Sequence, residues 1–156
     1  MKAVAVVGAS DAGKTTVVER LAERLCERGS VGTVKRTPHA PDVDTNGKDT
    51  ARHRAAGASE TYGVVADGDW FATGREMGLE DALDRLAPRH DYAVVEGYGE
   101  SALPKVAVGD RDAADPVLER ASDPDALDVD AVLDAIKDLE PRHTLDSLVA
   151  DVKSDP

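Results

Sequence analysis

Cysteine is almost absent from this chain, and its one example excludes both a disulfide framework and a multi-cysteine metal site. Cys26 falls beside the apolar stripe of a helical segment, with no C-x-x-C spacing or adjacent histidine to activate it. We therefore expect it to pack rather than react. Long hydrophobic runs are missing too. No stretch approaches a membrane span, and the apolar start is too short for a signal peptide, so the expected compartment is the cytoplasm and no membrane partner is expected. Positive charge is scarce: 19 Lys and Arg stand against 31 Asp and Glu, a net charge of −12 over 156 residues. Such a chain is not expected to bind nucleic acid through a broad basic face. Asp outnumbers Glu and Arg outnumbers Lys, the balance expected of an acidic surface suited to concentrated salt.

What is present begins at residues 8–15, Gly-Ala-Ser-Asp-Ala-Gly-Lys-Thr, a complete G-x-x-x-x-G-K-[ST] phosphate-binding loop. Its context suits the motif. Residues 3–7 (AVAVV) read as a buried strand, and residues 16–28 place Val17, Val18, Leu21, Ala22 and Leu25 at helical spacing. The two glycines let successive backbone N–H groups face a polyphosphate, and the helix start adds partial positive charge. Lys14 is placed to reach the β- and γ-phosphates, and the Thr15 hydroxyl to hold Mg²⁺.

Further along, residues 31–34 read as a second strand, followed by a loop over 35–47 dense in Pro, Asp and Thr. A short helix over 48–56 stops at Gly57, the usual left-handed cap. Two apolar runs within 61–73 flank Asp67-Gly68, a hairpin signal. Its aromatics, Tyr62, Trp70 and Phe71, suit core or subunit packing better than base stacking. Leu79, Ala82, Leu83 and Leu86 mark a helix ended by Pro88. Residues 92–95 form a buried strand running into Glu96-Gly97, with further strands at 106–108 and 117–118. Val132, Leu133, Ile136 and Leu139 line a closing helix over 130–139. The alternation predicts an α/β domain over residues 1–140: the three-layer fold of P-loop NTPases, with a mostly parallel sheet and an added β-hairpin. An acidic tail follows over 141–156, with a short amphipathic stretch at 144–152.

Parallel strands put the loops that follow them at one edge, so the phosphate loop, the 35–47 loop and Glu96 should converge. Glu96, ending a buried strand, is the candidate acidic partner of Thr15 at the metal. Gly97 either lets backbone approach the phosphates or ends the strand. A second block, residues 44–54 (DTNGKDTARHR), combines a helix start with basic residues and is a candidate second anion site, with a solvated charged helix as the alternative. Asp44 and Asp49 fit either water or metal contact or helix capping. His39, Asp42 and Asp44 form a weaker metal candidate. No N-K-x-D segment reads the base, and neither G-x-S-x-G nor H-E-x-x-H occurs.

Together, GASDAGKTT (8–16), VGTVKRTPHAPDVDTNGKDTARHRAAGA (31–58), the hairpin, DYAVVEGY (91–98) and PKVAV (104–108) resemble the MobB family of molybdopterin-guanine dinucleotide biosynthesis adaptors over residues 1–138. The resemblance implies a P-loop fold that binds GTP with Mg²⁺, hydrolyses it slowly if at all, and forms homodimers through an extended sheet. It also implies a role beside the guanylyltransferase that joins GMP to molybdopterin, giving the guanine dinucleotide. By position it implies that Asp11, Ala12, Gly13, Lys14, Thr15 and Thr16 bind the nucleotide and that Thr15 and Glu96 hold the metal. Asp44, Gly47, Lys48, Asp49 and Arg54 match the family's second block. Lys35-Arg36, Gly99 and Val108-Gly109-Asp110 stand where the family usually has Lys-His, Lys and a hydrophobic-Arg strand end. The loop by itself is equally compatible with a small-molecule kinase or a GTPase switch.

Overall fold

The computed structural model describes residues 1–38 and 49–142. Its elements in chain order are β1 (Lys2–Gly8), α1 (Lys14–Cys26), β2 (Val31–Lys35), α2 (Asp49–Ala55), β3 (Glu60–Val64), β4 (Trp70–Gly74), α3 (Leu79–Leu86), β5 (Tyr92–Glu96), β6 (Lys105–Val108), β7 (Val117–Ala121) and α4 (Val129–Lys137). They divide into two compact units. One comprises Met1–Arg36 with the described residues from Leu79 onward, the other Thr37–Gly78.

The larger unit is built on a five-stranded sheet of order β2-β5-β1-β6-β7. Every neighbouring pair is parallel. Both faces of such a sheet must be covered, which is why its inner strands β1, β5 and β6 carry continuous buried apolar runs. Alternate residues serve alternate faces. Val4, Val6, Val94, Val106 and Val108 pack with Val17, Leu21 and Leu25 of α1 and with Val132, Leu133 and Ile136 of α4. Ala3, Ala5, Val7, Ala93, Val95 and Ala107 form the other core with Leu79 and Leu83 of α3. Alanines dominate the strand side of this second core. The result is the expected three-layer α/β arrangement.

The chain leaves β1 through α1 toward β2 on one flank, whereas from β5 it passes to β6 on the other side of β1. The loops after β1 and β5 therefore part at the carboxyl edge of the sheet, the place where ligands enter such folds. At the opposite end of the chain, Arg142 is joined to the first residue: its N–H donates to the Met1 carbonyl at 2.7 Å. Its guanidinium bonds Glu80 and Asp84 on α3, an arrangement that keeps residues 141 and 142 with the folded unit. The amphipathic stretch at 144–152 lies outside the described residues.

In the smaller unit, α2 ends as a Schellman motif. Gly57 has φ of +110°, its N–H donates to Arg54 O, and Ala58 N–H reaches back to His53 O. The strands β3 and β4 pair antiparallel. Val65 N–H closes on Asp69 O around Ala66-Asp67-Gly68, with Gly68 at φ +98°, so the Asp-Gly pair sits in a three-residue turn with glycine left-handed. Phe71 lies across Gly63, where a Cβ would stand 2.3 Å from the ring.

Candidate functional site

Both glycines of the phosphate loop are sterically required. A Cβ on Gly8 would stand 2.3 Å from the Val108 carbonyl oxygen, so β1 ends pressed against β6. Gly13 has φ of +83°, and a Cβ there would meet Pro124 Cγ at 2.3 Å. Asp11, between them, is also left-handed at φ +61°. Gly13 is the N-cap of α1 and brings no capping side chain. No side chain therefore competes with an anion for the orphan N–H groups of the first turn, those of Lys14, Thr15 and Thr16 among them. Lys14 arches back over the loop, its ammonium bonded to the Ala9 carbonyl. Ala12 is half-buried, whereas Asp11, Thr15 and Thr16 are exposed.

Thr15 and Glu96, 81 residues apart, meet at this edge: the Thr15 hydroxyl donates to Glu96 Oε2 at 3.1 Å. Glu96 ends β5 with its side chain only 12% exposed. Beside it, Lys35 ends β2 in register with Glu96. The Lys35 ammonium lies 3.0 Å from Glu96 Oε1 and donates to Thr15 Oγ1 at 3.3 Å. After Glu96 the chain turns sharply, with Gly97 at φ +97° and Tyr98 at +56°. Gly97 N–H is spent on the Val6 carbonyl at 2.9 Å, so this glycine serves the turn itself. The Arg36 guanidinium covers the Tyr98 ring, 5.5 Å from its centre.

The donor set fits a magnesium ion. Adjacent oxygens of a Mg²⁺ octahedron with bonds of about 2.1 Å lie about 3.0 Å apart, close to the separation of Thr15 Oγ1 and Glu96 Oε2, and a cationic nitrogen already touches Thr15 Oγ1 and the other Glu96 oxygen, Oε1. Among the described residues no group of three His, Cys, Asp or Glu side chains could hold a metal by itself. An ion shared with phosphates and water asks for fewer protein ligands.

The second block is only partly described. His39, Asp42, Asp44, Gly47 and Lys48 lie outside the described residues. Asp49 opens α2 and pairs with Arg52 at 3.5 Å, while Arg54 is half-buried on the same helix. These residues belong to the smaller unit. Tyr62 and Trp70 touch as a tilted pair at 6.1 Å, yet are 56% and 60% exposed, so they are no part of a core. Cys26 is exposed as well. It lies one residue past Leu25, a rotation of about 100° off the Val17-Leu21-Leu25 stripe. Lys35 opens the 35–47 loop expected to meet Glu96 at this edge, but its contact with the Thr15–Glu96 pair is a role that sequence reasoning did not assign. The available signal was its place at the end of a second apolar strand, which becomes informative only once β2 is known to lie beside β5.

Residues 3–133 match the family model described as molybdopterin guanine dinucleotide synthesis protein B, MobB. The chain is 36% identical over 151 residues to a probable molybdopterin synthase of Haloferax volcanii, covering 97% of this chain and 54% of that protein. It is 37% identical over 107 residues to the molybdopterin-guanine dinucleotide biosynthesis adapter protein of Escherichia coli, covering 64% of this chain and 60% of that one. It thus spans between half and two thirds of the length of these relatives. Among solved structures, Bacillus subtilis MobB superposes with a TM-score of 0.62 at 29% identity, over 89% of this chain and all of that one. A Bacillus stearothermophilus MobB homologue, at 24% identity and a TM-score of 0.61, covers 88% of this chain and 99% of its own, and shares the fold.

Proposed function

The chain belongs to the MobB family of molybdopterin guanine dinucleotide synthesis proteins, and on that premise we propose that it is a nucleotide-holding adapter. It binds GTP with Mg²⁺ and assists the guanylyltransferase that joins GMP to molybdopterin. The observation that carries this reading is the 3.1 Å meeting of Thr15 with Glu96 at the mouth of the glycine loop. A loop that serves only as a turn has no need of a strand-end carboxylate beside its hydroxyl.

Backbone N–H groups of residues 11–16 and the Lys14 ammonium would hold the triphosphate, and Thr15 and Glu96 would hold the metal. A bound Mg²⁺ neutralises phosphate charge there. Glu96, which meets the Thr15 hydroxyl, is assigned to the metal, so it is poorly placed as a general base, and slow hydrolysis fits. Asp49 and Arg54, with Asp44, Gly47 and Lys48, are assigned to meeting the transferase or the pterin phosphate. Basic groups fill the last turn of α2, which buries no residue, in a chain of net charge −12. The antiparallel hairpin is assigned to a homodimer contact. The expected compartment is the cytoplasm; among the described residues no helix is long and apolar enough to cross a membrane.

Calorimetry with GTP and ATP in Mg²⁺ tests the nucleotide, and purified guanylyltransferase added to the GTP complex tests the partner. GTP should bind more tightly than ATP, and Lys14→Ala should weaken it by about tenfold or more, the worth of a charged hydrogen bond. Equal or tighter ATP binding removes guanine from the proposal. No effect of Lys14→Ala removes the loop, and no binding of the transferase removes the adapter role.

A further inference from the structure

Three side chains from three strand or helix ends close a ring at the carboxyl edge: Thr15 at the start of α1, Glu96 at the end of β5 and Lys35 at the end of β2. The Lys35 ammonium touches both Glu96 Oε1, at 3.0 Å, and Thr15 Oγ1, at 3.3 Å. Those are the residues whose oxygens are assigned to the metal. We infer that Lys35 is a resident counter-ion of the cation position, held there until a metal–triphosphate arrives and then transferred to the phosphates.

The inference rests on the nucleotide reading of this site and says how the site is regulated. Glu96 is nearly buried, and a carboxylate with so little water is costly to leave without a cation. The parallel register sets Lys35 directly beside Glu96, so the lysine reaches it without any backbone change. A metal ion held by Thr15 and Glu96 would stand within a few ångströms of an ammonium that touches both residues, and like charges that close repel strongly outside bulk water. Lys35 must therefore yield when a divalent ion binds. Its side chain is half exposed and flexible, so it can move. An incoming triphosphate supplies it with new anionic partners. The exchange keeps Glu96 paired throughout and makes the metal bind poorly unless phosphate comes with it.

A structural role for Lys35 and this exchange predict different signs. Removing a merely structural lysine would weaken metal and nucleotide together. Removing a competing counter-ion should tighten the metal alone and weaken the nucleotide. The test uses the whole chain freed of nucleotide, with Mn²⁺ as the probe, read by the electron paramagnetic resonance of the unbound ion. Lys35→Met should bind Mn²⁺ about fivefold more tightly than the wild type, the scale of one partly exposed ion pair. In saturating Mg²⁺, the same variant should bind GTP about fivefold more weakly by calorimetry. Lys35→Arg keeps the charge and should restore both values toward wild type, with melting temperatures followed for all three proteins. Weakening of both ligands by Lys35→Met, or no change in either, overturns the inference. If the wild type binds no GTP, the nucleotide reading and the transfer to phosphate both fall. The Mn²⁺ comparison then still decides whether Lys35 occupies the cation position.

Discussion

Asp91 joins the starts of two strands through one carboxylate. Its Oδ2 accepts from Ser30 N–H at 2.9 Å and from Ser30 Oγ at 2.8 Å, next to β2, while Asp91 itself precedes β5. Those bonds, the backbone one first, hold the carboxyl below the ordinary aspartate value of 3.8. The linkage has a definite sign: a depressed folded pKa gives stability that is present above the unfolded value and is lost as pH falls through the folded one. Asp91→Asn should therefore melt lower than wild type at neutral pH, and the gap should narrow steadily below about pH 4. Melting curves taken from pH 7 down to pH 2 check this; a gap that stays constant across the range would mean the carboxylate charge is irrelevant. The same scale shows what a sequence can and cannot expose. Lys14, Thr15 and Glu96 were legible because each follows locally from a strand end or a glycine loop. Lys35 was legible only as the start of a loop bound for the same edge, because its partner is fixed by which strands lie side by side, and β2 meets β5 across sixty residues of intervening chain. Cys26 was misplaced by a single helical step.

Among the elements, the hairpin of β3 and β4 is the one most in need of a neighbour. Tyr62, Val64, Val65 and Trp70 are each about half exposed or more, Val64 reaching 77%. A two-stranded sheet is marginal in water and has two unpaired edges. Such a surface is usually covered in the functional assembly, and under the proposed homodimer a second copy of the chain would cover it symmetrically. Trp70→Glu should then convert a dimer to a monomer in sedimentation velocity, because the charge would be brought against the same patch of its mate. A wild type that sediments as a monomer would end the homodimer proposal; a Trp70→Glu dimer would move the contact elsewhere. The hairpin itself was readable from Asp67-Gly68, and the end of α2 from Gly57, since both depend on a left-handed residue that glycine alone accepts cheaply. Burial was less readable. The aromatics have the same identity in a core and at an uncovered interface.

For the whole molecule, alternating apolar runs and helical stripes were enough to give a parallel α/β domain, but not the order β2-β5-β1-β6-β7. That order depends on crossovers that leave no local mark, and it is what assembles Thr15, Lys35 and Glu96. Net charge is the other property of the whole. An excess of 12 negative charges opposes compaction, and salt acts on it in two directions. Screening relieves the repulsion among carboxylates, while it also weakens surface pairs such as Arg24–Asp130 and Arg20–Asp125. Each such pair is worth at most about 1 kcal/mol. Repulsion summed over the surplus outweighs a few of them, so the chain should gain stability as salt rises. We expect the melting temperature in molar KCl to exceed that in dilute buffer by roughly 6 °C, about 2 kcal/mol for a chain of this length. Scans in KCl and in choline chloride at equal ionic strength separate screening, common to both, from specific binding of potassium. A melting temperature that is flat or falling with KCl would mean that ion pairs dominate the surface and that the acidic composition is no adaptation to salt.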